Sequence, residues 1–206
     1  MNMEKKFELT DNFIINAFGV KLFQIKCTKS FKYAKEGDLG GYVEKDENLD
    51  QESDAWVSGD ARVSGNARVS GNARVSGNAR VSGNAWVSGD AEVSGDARVY
   101  GNAWVSGDAR VYGNAEVSGD AEVSGDAEID NNNKHCGFDC FGSANRHTHA
   151  YLTKENKVEI TCGCFRGSIE EFEKRVEETH SGTIYEKQYK AIIDVIKIKF
   201  GLTDLI

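Results

Sequence analysis

The sequence predicts a mainly-β protein organised around a β-solenoid, with a small β cap before it and a small α+β module after it. Three observations carry that expectation. From Asp54 to Asp130 a six-residue unit, Asn/Asp-Ala-x-Val-Ser-Gly, repeats almost without interruption. Within it every sixth residue from Val57 to Val123 is valine and Ile129 follows in phase, each with an alanine two positions earlier. Most of the 22 glycines fall in phase with the unit and proline is absent, the composition of an ordered repeat and not of a disordered linker.

Each unit reads as a three-residue strand and a turn. Ala and Val share one face of the strand, and x points the other way. Ser-Gly-Asn/Asp is turn chemistry, because Gly and Asn tolerate positive φ. One such unit buries nothing alone, whereas stacked coils bury a continuous aliphatic column. The unit resembles the hexapeptide repeat of left-handed β-helices, in which three hexapeptides close one triangular coil. The handedness and the three-sided section are what that resemblance implies. On that count residues 18 apart stack, about 4.8 Å between neighbouring coils.

Residues 1–42 precede the repeats. Phe13-Ile14-Ile15 and Val20 to Cys27 read as strands, and Gly37 to Gly41 as a turn. Their expected role is a cap that hides the open edge of the first coil. The solenoid spans 43–130. Val43 and Leu49 are degenerate lead-in repeats, and the longer step to Val57 marks a two-residue insertion before Asp54. Asp130 to Lys134 reads as a linker that opens the C-terminal module, 131–206. In the module Ala150–Thr153 and Val158–Cys162 form a hairpin around Lys154–Lys157. Ser168 to Glu171 and Thr183 to Glu186 are capping boxes, each opening a helix. Phe172 and Val176 lie on the apolar stripe of the first helix, which stops at His180 and Gly182. Tyr189, Ile192, Ile193, Ile196 and Phe200 form the stripe of the second. The helices pack on the hairpin, and the module docks on the last coil.

The order Gly142-Ser143, a strand with Tyr151, Gly163 to Ser168, Glu171-Phe172, Val176, His180 and Tyr189 resembles a module of many phage and prophage proteins, where it likewise follows hexapeptide repeats. Gly37 to Glu44, with Asn48-Leu49, resembles the lead-in of the same proteins. The resemblance implies a phage accessory protein and supplies no catalytic residues.

Three units per coil sort the outward x positions into three columns. Trp56, Arg74, Glu92, Arg110 and Glu128 alternate in sign below Trp56, as a self-satisfied charge ladder would. Arg62, Arg80 and Arg98 stack above Glu116, and like charges at strand spacing repel by roughly 0.2–1 kcal/mol per pair. An anion, a partner's carboxylates or neighbouring side chains would relieve them. Arg68, Trp86, Trp104 and Glu122 place two exposed tryptophans side by side, with an arginine able to stack at one end, which suits a contact surface. The candidate partner-binding residues are therefore Trp86, Trp104 and Arg68, with Arg62, Arg80 and Arg98 as a second set; neutral variation on a tolerant surface is the plain alternative. A corner ridge of Asp54, Asn72, Asp90, Asp108 and Asp126 makes the late coils acidic. Solubility is its plain reading, with imitation of DNA phosphates or cation binding as alternatives.

The net charge of −8 argues against non-specific nucleic-acid binding. No apolar run approaches the roughly 20 residues of a membrane span, and no signal-peptide core follows Met1 to Lys6. The odd number of cysteines, five, fits reduced thiols in a cytoplasm. Every histidine (His135, His147, His149, His180) and four cysteines (Cys136, Cys140, Cys162, Cys164) lie in the module, where zinc comes to mind. Cys-x-Cys on a strand sends its sulfurs to opposite faces, and the expectation is no metal and no cofactor. Cys164 with His180 lacks an oxyanion hole or third residue to act as a nucleophile pair. Many left-handed β-helix proteins are acyltransferases with a histidine on or beside the solenoid, yet Asp54 to Asp130 contains none. The expected function is a non-enzymatic phage or prophage interaction protein of the host cytoplasm. It binds a host or phage protein, or a second copy of itself, with inhibition of a host defence system such as CRISPR as the natural niche. The alternatives are an acyltransferase-related enzyme and a structural spacer.

Overall fold

The computed structural model describes residues 5–202; residues 1–4 of the expected cap and 203–206 of the expected module lie outside the described residues. Three strands open the chain: β1 (Phe7–Ile15), β2 (Lys21–Cys27) and β3 (Leu39–Val43). Thirteen two-residue strands follow at six-residue spacing. They stack into three parallel faces. β5 (Arg62–Val63), β8 (Arg80–Val81), β11 (Arg98–Val99) and β14 (Glu116–Val117) form one. β4 (Trp56–Val57), β7 (Arg74–Val75), β10 (Glu92–Val93), β13 (Arg110–Val111) and β16 (Glu128–Ile129) form the second. β6 (Arg68–Val69), β9 (Trp86–Val87), β12 (Trp104–Val105) and β15 (Glu122–Val123) form the third. The protein is a β-solenoid of roughly five turns.

Why this chain coils is visible in one repeat. Val87 pairs with Val105, 18 residues on, and Trp86 with Trp104. The inward valines and alanines are buried throughout, and burying a valine side chain is worth about 1.5 kcal/mol or more. The coil-to-coil ladder runs through the corner as well as the strand: Trp86 N–H donates to Ala103 O, Ser88 N–H to Val105 O and Asp90 N–H to Gly107 O, each at 2.9 Å. At that corner Gly89 sits at φ 68°, and a Cβ there would lie 2.9 Å from Gly107 N. Glycine is needed both for the left-handed turn and for the close approach of coils. Corner amides add a second ladder, Asn66 to Asn84 to Asn102 to Asp120, at 3.2, 3.0 and 2.8 Å.

The lead-in repeats fall where expected. Val43 pairs with Val63 and Leu49 bridges Val69, so both are 20 residues from their partners and the extra two are the insertion. Gly37 to Gly41 corrects the expectation of a turn. The turn ends at Asp38 and β3 begins at Leu39. A Cβ on Gly40 would meet Ile25 at 2.5 Å and one on Gly41 would meet Ala61 O at 2.7 Å, so these glycines let a strand press onto the coil. β1 and β2 are antiparallel additions to β3, which extend one solenoid face to seven strands.

Both ends of the solenoid are covered. At the first coil Phe7, Leu22 and Ile25 are buried. Lys6 Nζ donates to Ser53 O and Ala55 O at 2.6 and 2.8 Å, and Asn48 Nδ2 to Gly65 O and Ala67 O at 3.1 and 2.8 Å. Side chains thus satisfy carbonyls that a further coil would have bonded. Burial pushes the Lys6 ammonium down to about 8. Trp56, expected on the outer surface, is buried because Phe31 of the cap packs edge-on against it at 5.4 Å.

At the other end stands a four-stranded antiparallel sheet, β17 (His135–Phe141), β18 (Arg146–Leu152), β19 (Val158–Cys162) and β20 (Phe165–Gly167). The hairpin and both helices, α1 (Ile169–His180) and α2 (Ile184–Lys199), are where the sequence puts them. The sequence reading missed β17 and β20. One face of the sheet carries the helices, with Ala150, Ile160, Phe172, Val176, Ile192 and Ile196 buried between. The other face docks on the last coil: Thr161 Oγ1 donates to Glu122 O at 3.0 Å, and Lys154 N–H to Asp126 O at 3.0 Å. Ser168 forms its capping box with Glu171. The second box differs, since Glu186 accepts from Gly182 N–H at 2.7 Å while Thr183 caps Glu186 N–H.

Candidate functional site

With both ends occupied, the lateral faces are what the solenoid offers to a partner, and the third face carries the tryptophans. Its register is set from inside. Val69, Val87, Val105 and Val123 pair in sequence, so the outward residues Arg68, Trp86, Trp104 and Glu122 must stack in the same order. The two indoles lie nearly coplanar, 8° apart with centroids at 5.4 Å, an offset stack at a favourable aromatic distance. Each indole N–H donates to a corner serine of the preceding coil, Trp86 to Ser70 Oγ at 3.0 Å and Trp104 to Ser88 Oγ at 3.3 Å. The polar edge of each ring is thereby satisfied and its orientation held. What remains outside is hydrocarbon: Trp86 is 42% exposed and Trp104 45%.

Arg68 stands next to Trp86 in register, but among the described residues its guanidinium makes no ring contact. The indole is tethered to Ser70 and Trp104, and Arg68 stays exposed. The face begins in a recess of about 430 Å³ shared by Arg68 and Trp86. The insertion and the short 3-10 turn Asp46–Asn48 wall it with Asp46, Glu47, Asp50 and Glu52. The sequence named the insertion but not this acidic wall, which exists only because the lead-in coil folds back beside the tryptophan column.

The arginine column is assembled as expected: Arg62 pairs with Arg80, Arg80 with Arg98 and Arg98 with Glu116. Glu116 relieves the last of them, with Arg98 Nη1 at 2.9 Å from its carboxylate. Arg62 and Arg80 have no ion-pair partner among the described residues. The remaining column is only partly self-satisfied. Arg74 pairs with Glu92 and also lies over the Tyr33 ring at 5.3 Å. Glu128 instead accepts from Tyr112 Oη at 2.6 Å, which pushes that phenol up to about 12. Of the acidic corner ridge, Asn72 donates to Asp90 at 2.9 Å, and Lys154 stands 3.5 Å from Asp126.

The histidines and cysteines divide between surfaces. His135 Nδ1 and His149 Nε2 are 3.0 Å apart at the joint between sheet and solenoid, and His149 Nδ1 is 3.2 Å from Glu122 O. Burial lowers His135 to about 4 and His149 to about 3, so both are neutral. His147 sits beside Asp139 at 2.5 Å. Cys162 is buried toward the helices and Cys164 is exposed, the opposite-face outcome expected of Cys-x-Cys. Burial pushes the Cys136 thiol up to about 11. Among the described residues no three His, Cys, Asp or Glu side chains are grouped to hold a metal ion. His180 stacks on Tyr189 at 5.4 Å, on the helix side of the sheet. No helix among the described residues is long and apolar enough to cross a membrane.

The chain is similar to the YdcK beta solenoid repeat, which matches residues 55–73, 67–78, 73–89 and 91–107. The matched stretch includes both tryptophan rungs and stops before the C-terminal module. No curated protein matches the chain.

Proposed function

We propose that this chain is a non-enzymatic interaction protein of a phage or prophage, which grips a host or phage protein with the tryptophan face of its solenoid. Trp86 and Trp104 are the anchors, Arg68 borders them, and Arg62, Arg80 and Arg98 form a second contact column on the neighbouring face. The observation that carries this reading is the pair of coplanar, tethered, half-exposed indoles. Held rigid before contact, they lose little conformational freedom on binding, and aromatic anchors of this kind dominate interface energetics. Their burial is worth several kcal/mol gross at about 25 cal/mol per Å². The acidic recess beside Trp86 favours a partner with a basic side chain next to its apolar contact. Inhibition of a host defence system such as CRISPR, in the host cytoplasm, is the role that fits the resemblance of the flanking segments to phage proteins. An acyltransferase is disfavoured because the histidines nearest the solenoid, His135 and His149, are enclosed and hydrogen-bonded at the joint.

The double substitution Trp86→Glu and Trp104→Glu tests the proposal. Both side chains point outward, so circular dichroism should keep its β signature. Light scattering reads self-association, and pull-down from an infected host reads partner capture. Loss of a specific partner with an unchanged fold is the expected result. A double variant with the same oligomeric state and the same captured protein would move the contact to the arginine column.

A further inference from the structure

The C-terminal module contains a recess that the tryptophan-face reading does not use. It has a volume of about 290 Å³ and opens between β18, the β19–β20 turn and α1. Its floor is a chain of ring contacts. Phe165 meets Phe172 at 5.0 Å, Phe172 meets Tyr189 edge-on at 5.6 Å, and Tyr189 stacks with His180 at 5.4 Å. Two guanidiniums flank its mouth, Arg146 from β18 and Arg175 from α1. Both residues are exposed, and among the described residues neither has an ion-pair partner. The carboxylates nearest Arg175 along its helix are already engaged, Glu171 by Ser168 N–H at 2.8 Å and Glu178 by Lys174 at 4.0 Å.

The backbone is shaped to hold these groups. Gly142 has φ 74°, and a Cβ there would lie 2.0 Å from Tyr189 Oη. Gly163 has φ 59°, and a Cβ there would lie 2.5 Å from Arg146 Nη1. Left-handed glycines at two turns therefore let the tyrosine and the arginine reach the recess. An unpaired arginine on an open, polar surface is ordinarily a solvated charge. Two that converge on an aromatic floor match a ligand with a flat apolar body and an anionic group. The ring would lie against Phe165, Phe172 and Tyr189, and the guanidiniums would clamp the anion by charge-assisted hydrogen bonds. The volume stands at the small end of ligand pockets, which limits the ligand to about the size of a mononucleotide.

We infer that this recess binds a small flat organic anion, an aromatic carboxylate or a mononucleotide-sized phosphate ester, clamped by Arg146 and Arg175. Isothermal titration of the full chain with adenosine 5′-monophosphate, benzoate and inorganic phosphate separates the sources of the shared chemistry. At least one ring-bearing probe should bind in the ~10 µM to 1 mM range, with inorganic phosphate alone weaker by about tenfold or more. Arg146→Ala together with Arg175→Ala should weaken the ring-bearing probe at least about tenfold, while Arg110→Ala on the solenoid leaves it unchanged. Cys164 at the rim supplies a second readout. Both Cys164 and Cys140 are exposed thiols, and an occupied recess should slow maleimide labelling of Cys164 but not of Cys140. Absence of binding by both ring-bearing probes, equal affinity for bare phosphate, or affinity unchanged in the double arginine variant overturns the inference.

Discussion

The solenoid and the C-terminal module bury their apolar residues by different rules. In the solenoid one valine and one alanine per six residues face inward, and each meets its equivalent 18 residues away. In the module Ile160, Phe172, Val176, Ile192, Ile193 and Ile196 converge from a sheet and two helices with no common period. The rod therefore repeats one local solution, while the module depends on a single assembly of unlike parts. The difference teaches where each region is tolerant. Substitutions at x change the solenoid surface without touching its core, so that surface is free to acquire a tryptophan pair. In the module nearly every strand residue serves either the helices or the last coil.

The largest expected effect lies in the rod's core. Val99 is fully buried, and Val99→Asp should cost more than ~4 kcal/mol in denaturant unfolding, because the charge has no partner inside. Next comes the corner. Gly89 and Gly119 share φ 68°, but a Cβ at Gly89 would press on Gly107 whereas one at Gly119 meets nothing within 4 Å. Gly119→Ala should cost ~1–2 kcal/mol for the left-handed backbone alone, and Gly89→Ala clearly more. Equal losses would show that coil spacing gives way freely.

The joint between the two regions should respond to pH. His135 and His149 sit at about 4 and 3 in the folded protein, against an ordinary 6.5. Burial is the main cause, aided by Lys199 at His135 and by His135 itself at His149. Below pH 6.5 the unfolded chain takes up protons that the folded joint refuses. Their contribution is complete above 6.5 and is lost as pH falls toward 4 and then 3. Thermal unfolding between pH 7.5 and 4.5 should show that slope, and His135→Gln with His149→Gln should flatten it. An unchanged slope would locate the proton uptake elsewhere. The smallest effect is expected at Arg98→Ala. Its pair with Glu116 is half exposed, so the loss should stay under ~0.5 kcal/mol; a loss as large as that of Val99→Asp would reverse the inward and outward assignment.

Much of the fold was legible because it is local. The phase of Val57 to Ile129 assigns every side chain in the rod to inside or outside, and the step from Leu49 to Val57 locates the insertion. Ser168 with Glu171, and the stripe from Tyr189 to Ile196, locate both helices. The strand His135–Phe141 was not legible. Its residues, His-Cys-Gly-Phe-Asp-Cys-Phe, carry polar and small side chains on the face toward the solenoid, because that face meets a coil end rich in carbonyls. Trp56 illustrates the same limit: its place in the repeat marks it as outward, and only the folded-back Phe31 covers it.

By itself the sequence determined the repeat, the three columns and the order of residues in each, since a strict six-residue period with 18 per coil leaves one register. That includes the adjacency of Trp86 and Trp104. Only the tertiary structure decided their nearly parallel stacking, their tethers to Ser70 and Ser88, the acidic wall beside them, the closure of both solenoid ends and the arginine-flanked recess of the module. These depend on where side chains distant in sequence come to rest, and no periodicity encodes contacts between segments that occur once.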